Sequence, residues 1–172
     1  MTMTPGLRKL ALTAHVVSSV GWLGAAAAYL ALAVAALTSR DAQMAGAAYL
    51  AMEPTAWFAI VPLALASLLT GLVQSLGSPW GLFRHYWVLF KLLLNLLATI
   101  VLLLHMQTVS FLAGVATETD SADPGGLPGE ILHAGGGLLV LLVATVLAVY
   151  KPRGLTPYGR RKQRERRTVL AP

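Results

Sequence analysis

The chain of 172 residues carries 13 Lys+Arg against 7 Asp+Glu, no Cys, 56% hydrophobic residues and only 12% charged ones. Ordinary soluble domains hold roughly 25% charged residues, and with a mean hydropathy of +0.68 this composition excludes a water-soluble globular fold. The missing cysteines exclude disulfides, thiolate metal sites, iron–sulfur clusters and a cysteine nucleophile.

A hydrocarbon core of about 30 Å takes roughly 20 apolar residues of helix. No charge falls between Lys9 and Arg40, so the first span covers 10–37, long enough to tilt. Its length also separates it from a cleaved signal peptide, whose apolar region is roughly 7–15 residues. Residues 38–53 read as the first connection, with room for a short interfacial helix, and Glu53-Pro54 reads as a helix start. The second span then covers 55–76, kinked at Pro62, and the third 86–112. Residues 117–129, rich in Asp, Glu, Gly and Pro, read as an acidic loop before a fourth span at 131–150, which Pro152 stops. Lipid offers backbone groups no partner, so all four spans must be helical. The expectation is an all-α integral membrane four-helix bundle over 1–150 with a basic tail over 151–172.

Charge orients it. Every basic residue except Arg40 falls at the amino terminus, in 77–91 or in the tail, while every acidic residue except Glu165 falls in the other two connections. The positive-inside rule places both termini in the cytoplasm, and the bacterial inner (plasma) membrane is the expected location. Arg160-Arg161-Lys162-Gln163-Arg164-Glu165-Arg166-Arg167 would suggest nucleic acid in a soluble protein. Directly after a span it reads instead as a topology determinant drawn to anionic headgroups, at about 1 kcal/mol per basic residue near the surface.

Ionisable residues inside spans are functional candidates by default. At 100° per residue, Lys91, Asn95 and His105 share one stripe of the third helix. His15, Ser19 and Trp22 share a face of the first helix, and Ser67, Thr70 and Gln74 a face of the second. His133 precedes Gly135-Gly136-Gly137, which permits close approach of a ring or backbone. Rise per residue puts His15 and Lys91 about 9 Å below the inner surface, His105 about 10 Å and His133 about 4 Å below the outer one. Two layers follow: His15, Lys91 and Gln74 in the inner half, His105 and His133 in the outer. Each residue also has a plain reading. Lys91 can snorkel to headgroups, His133 can be interfacial, and Asn95, Ser19 and Thr70 can bond between helices. His85, beside Arg84, reads as a solvated boundary residue.

His15-x6-Trp22-x-Gly24 resembles the opening helix of CopD-like copper-resistance membrane proteins and of HemJ-type haem-binding proteins. Tyr86-Trp87-Val88-Leu89-Phe90-Lys91-Leu92, followed by His105, is similar to a later HemJ-type helix that opens on a functional Lys. Residues 62–72, Ser78-Pro79-Trp80-Gly81-Leu82, Arg84-His85-Tyr86-Trp87 and Tyr150-Lys151-Pro152-Arg153-Gly154 look like those of uncharacterised bacterial four-span membrane proteins. The Met/His-rich outer segments of a copper importer are missing, so the resemblance implies a haem- or metal-capable scaffold rather than a particular enzyme. Two functions therefore compete. In one, the protein binds haem b or a metal in a redox or metal-handling role. His105 and His133 are then the ligand pair across an offset of about 6 Å, His15 with Lys91 serves a second group or a propionate, and Asn95 and Trp22 line the site. In the other it is a non-catalytic module that packs against a membrane partner, another copy or lipid through Gly21, Gly24 and Ala28. No Ser/His/Asp grouping or His-Glu-x-x-His pattern supports hydrolysis.

Overall fold

The computed structural model describes residues 3–77, 81–118, 128–152 and 154–170. Six α-helices follow in order: α1 (Pro5–Thr38), α2 (Ala42–Thr55), α3 (Val61–Gly77), α4 (Tyr86–Glu118), α5 (Pro128–Tyr150) and α6 (Pro157–Leu170). The acidic loop expected at 117–129 lies, over 119–127, outside the described residues, as do 78–80 and Arg153.

Thr4 starts α1 by accepting the Leu7 N–H at 3.5 Å, with Pro5 supplying a backbone already set for a helix. Only residues 39–41 separate α1 from α2. Asp41 caps α2 by accepting the Gln43 N–H at 2.9 Å. The expected connection over 38–53 is thus mostly helix, and Glu53-Pro54 is not a helix start: Pro54 lies inside α2. From there a π-helical turn, Ala56–Ile60, carries the chain into α3, with the Val61 N–H donating to Ala56 O five residues back. Pro62 lacks the N–H that would bond Phe58 in a regular helix, and the widened turn absorbs that loss. It also keeps one face inward, so that Met52, Ala56, Ile60, Val61, Ala64 and Ser67 are all buried. Ala42–Gly77 is therefore a single broken helix of 36 residues and acts as the second span.

Four helices, Pro5–Thr38, Ala42–Gly77, Tyr86–Gly114 and Gly129–Tyr150, are long and apolar enough to cross a membrane. The exterior agrees with that solvent. Phe58 is 83% exposed, Leu132 76% and Leu104 72%, an arrangement that would aggregate in water and is ordinary in lipid. This is a multi-pass membrane protein with an all-α four-helix bundle. Small residues fill its interior: Ala26, Ala33, Ala36, Ala48, Ala56 and Ala64 are all buried and let helices approach closely. Trp22, Tyr29, Tyr49, Met52 and Met106 occupy the remaining space.

The spans are arranged as a ring. α1 packs on α2, α3 and α5, and α4 packs on the same three helices. Among the described residues, α1 and α4 never bring their Cα atoms within 8 Å of each other. They face one another across the centre of the bundle, and whatever joins them must be side chains.

The tail is a docked helix. Lys151 takes a left-handed conformation (φ 44°) and ends α5 before Pro152. The chain then pairs antiparallel with the connection before α4. Tyr86 N–H donates to Gly154 O at 3.2 Å and Thr156 N–H donates to Arg84 O at 3.0 Å. Thr156 Oγ1 donates to Phe83 O at 2.5 Å and accepts the Gly159 N–H at 3.0 Å, capping α6. A Cβ at Gly159 would stand 2.3 Å from Arg84 O, so only glycine fits. Beyond the dock α6 is exposed, and Lys162 and Arg161, each 3.2 Å from Glu165, hold its carboxyl below the usual carboxylate range. Replacing Gly159 by Ala should undock α6 while leaving the spans intact. Limited trypsin digestion should then cut at Arg160, Arg161 and Lys162 several-fold faster than in the unaltered protein, and an unchanged rate would refute the docking.

Candidate functional site

Two polar clusters bridge α1 to the far side of the ring. The first lies where the amino-terminal halves of α1 and α4 meet α3. His15 is 7% exposed. Its Nδ1 is 3.1 Å from Ser67 O and 3.2 Å from Thr70 Oγ1. A carbonyl can only accept, and the Thr70 hydroxyl spends its proton on Ala66 O at 2.5 Å, so Nδ1 carries the hydrogen. In the neutral ring the lone pair is then on Nε2, and Lys91 Nζ donates to it at 3.0 Å. Gly71 makes room for the ring, since a Cβ there would lie 3.0 Å from His15 Cε1. Ser19 and Ser67 share a hydrogen bond of 2.8 Å beside it.

This cluster forms part of the wall of a cavity of about 700 Å³ between α1, α3, α4 and α5. Trp22, Gln74, Trp87 and Asn95 also line it. Among the described residues Arg8, Lys91 and Lys151 contribute to the wall, and no acidic residue does. The inner layer expected from sequence, His15, Lys91 and Gln74, is therefore assembled around one space. Lys91 does not snorkel away from it but turns onto His15.

The second cluster lies in the other half of the bundle. Glu130, in the first turn of α5, is 2% exposed. It accepts the Tyr29 hydroxyl at 2.9 Å and the His105 Nε2–H, which is 2.9 Å from Oε1 and 3.0 Å from Oε2. α1, α4 and α5 are thus tied through one carboxylate. His133, one turn after Glu130, stacks on His105 with ring centroids 3.6 Å apart and planes 11° from parallel. The two imidazoles line a smaller cavity of about 290 Å³ with Trp22, Met106 and Gly137.

The structure brings His105 and His133 side by side. Ligation of one iron by two imidazoles requires an in-plane nitrogen lone pair of each ring to point at the metal from opposite sides. Here they lie flat on each other, and the Nε2 of His105 carries a proton bound to Glu130. The donor set does not fit that role in this arrangement, and among the described residues no three His, Cys, Asp or Glu side chains are placed to hold a metal ion. His15 fits better. Its Nδ1–H donates to a backbone carbonyl, the anchoring common to ligating histidines, and its Nε2 lone pair is directed toward Lys91, a flexible residue of the cavity wall.

Tyr29 and Glu130 were missed. Tyr29 continues the seven-residue spacing of His15 and Trp22, so the stripe on α1 already pointed to it. Glu130 reads in sequence as a boundary acid, and only packing shows it to be interior. Gly21, expected on an outer packing face, faces inward: its Cβ would stand 3.2 Å from Leu63, whereas Gly24 has nothing within 4 Å.

Comparison with protein families, with curated proteins and with solved structures finds no match for this chain.

Replacing Glu130 by Ala strands Tyr29 and His105 in the interior, and we expect a loss of about 3 kcal/mol of stability. Tyr29→Phe removes one neutral donor and should cost about 1 kcal/mol. Unfolding in detergent micelles distinguishes them, and equal losses would contradict the central place given to Glu130.

Proposed function

We propose that this protein binds a b-type haem in the larger cavity, with His15 rather than the stacked pair as the ligand. The observation that carries the reading is the posture of His15, anchored through Nδ1 and offering Nε2 at the wall of a space of about 700 Å³, within the roughly 300–1,000 Å³ of typical cofactor sites. Trp22 and Trp87 offer flat apolar walls, and Arg8, Lys91 and Lys151 suit acidic substituents such as propionates. Lys91 satisfies the imidazole lone pair until a ligand takes its place. A haem held there supplies one-electron redox chemistry. The resemblance of the first and third spans to CopD-like and HemJ-type proteins supports the same choice, since three of the residues that carry it, His15, Trp22 and Lys91, line this one cavity, while His105 lines the smaller one.

The same reading places the protein in the bacterial inner membrane with both termini in the cytoplasm, on the distribution of basic residues. There α6, with Arg160, Arg161, Lys162 and Arg164 exposed, lies against anionic headgroups. A second reading, a module that packs against a partner protein or another copy, draws on the open surface at Gly24 and the exposed Ala27, Ala28 and Ala31 beside it.

Protein purified from cells supplied with haem should show a Soret band that shifts on reduction. His15→Ala should lose at least nine-tenths of it while His105→Ala keeps most, and the converse would return the site to the stacked pair. A colourless, metal-free protein would favour the packing module. Because the chain contains no cysteine, single cysteines at Ala42 and Gln163 report orientation without background. An impermeant thiol reagent applied to whole spheroplasts should label the first and not the second, and the reverse pattern would invert the topology.

A further inference from the structure

The smaller cavity differs from the larger in every property that selects a ligand. Among the described residues no Lys, Arg, Asp or Glu lines it, so an anionic headgroup or an ammonium finds no counter-charge on that wall. Its volume of about 290 Å³ sits at the bottom of the usual range for small-molecule sites, room for one or two fused rings rather than a macrocycle or a pair of acyl chains. Its rim includes Leu97 (57% exposed), Val101 and Leu132, apolar residues on the outer surface of α4 and α5. In a membrane that rim faces lipid, so a ligand would enter from the bilayer without crossing water. Inside, Trp22 and Met106 offer the flat and polarisable contacts that suit a ring.

The polar groups on this apolar wall that can move a proton are the stacked imidazoles, with the Tyr29 hydroxyl committed to Glu130. A carboxylate is acceptor only, so Glu130 fixes the proton of His105 on Nε2. Face-to-face stacking at 3.6 Å disfavours a positive charge on both rings at once. His105 is engaged with Glu130, so His133 is the ring left to a ligand, and a neutral imidazole presents one donor and one acceptor. That pair suits a carbonyl or a hydroxyl on a ring.

From these properties we infer that the smaller cavity is a binding site for the head group of a membrane quinone or quinol, held by a hydrogen bond to His133 with Glu130 and His105 behind it. The ligand class follows from the site: uncharged, lipid-soluble, one or two rings wide, and bearing an oxygen that can accept or donate. The inference does not depend on a haem in the larger cavity.

Glycine provides the test. Gly137 lines the cavity, and a Cβ built on it meets nothing within 4 Å. A Leu side chain at 137 starts in that open space and replaces a glycine inside a helix by a better helix former, so the variant should fold. Gly46→Leu, at an equally open glycine that lines neither cavity, controls for the substitution itself. The full chain in nanodiscs is titrated with a short-chain benzoquinone and with a methylated naphthoquinone, and empty nanodiscs give the partition baseline. Saturable binding above that baseline is expected for the unaltered protein and for Gly46→Leu. Gly137→Leu should weaken it at least tenfold, and His133→Phe, which keeps the stack but not the hydrogen bond, should do likewise. Absence of saturable binding to both quinones, or unchanged affinity in Gly137→Leu, overturns the site. Unchanged affinity in His133→Phe overturns the role given to that ring.

Discussion

The backbones of α1 and α4 stay apart across the middle of the bundle, and in lipid nothing but protein can satisfy polar groups placed in that gap. The rest of the arrangement follows from this constraint. The pair on either side of the ring could approach each other only if the interior were filled by small apolar residues throughout. Instead the chain places long polar side chains there and makes them bond to one another: Lys91 to His15 in one half, and Tyr29, Glu130 and His105 in the other. Each link spans helices distant in sequence, so each also restricts how the ring can close. The two cavities are what remains of the gap on either side of these links.

The two halves use different electrostatic solutions. Around His15 the polar atoms are hydroxyls and carbonyls of α1 and α3, and the charged group that meets the ring is a lysine at the wall of an open space. Around Glu130 a carboxylate is buried outright and compensated by a tyrosine and an imidazole. Removing water strengthens both kinds of contact, but an unpaired carboxylate is far the more costly to leave behind. The half built on Glu130 is accordingly the costlier to disrupt.

Much of this was written in the sequence, and the failures are instructive. Charge-free runs located four spans because a membrane interior excludes charge so strongly that few other patterns survive. Helical spacing put His15, Ser19 and Trp22 on one face of the first span, and Ser67, Thr70 and Gln74 on one face of the second, because a periodicity of 3.6 needs no tertiary knowledge. Glu53-Pro54 misled because proline marks a helix start in water, whereas a long span can carry it, and Pro62, with one widened turn. The burial of Glu130 could not be read from local sequence, since a glutamate at a helix start is equally at home in a headgroup layer. The same holds for the pairing of residues 154–156 with 84–86, which joins segments about seventy positions apart largely through backbone atoms. The posture of His105 on His133 depends on side-chain rotation, which spacing does not determine.

Trp22 contributes to the wall of both cavities. With Leu141 of α5, which borders both spaces as well, the buried indole stands between two chemically opposed compartments, one cationic and one neutral. A smaller residue at this position would thin the wall between them, and with it the separation of their preferences.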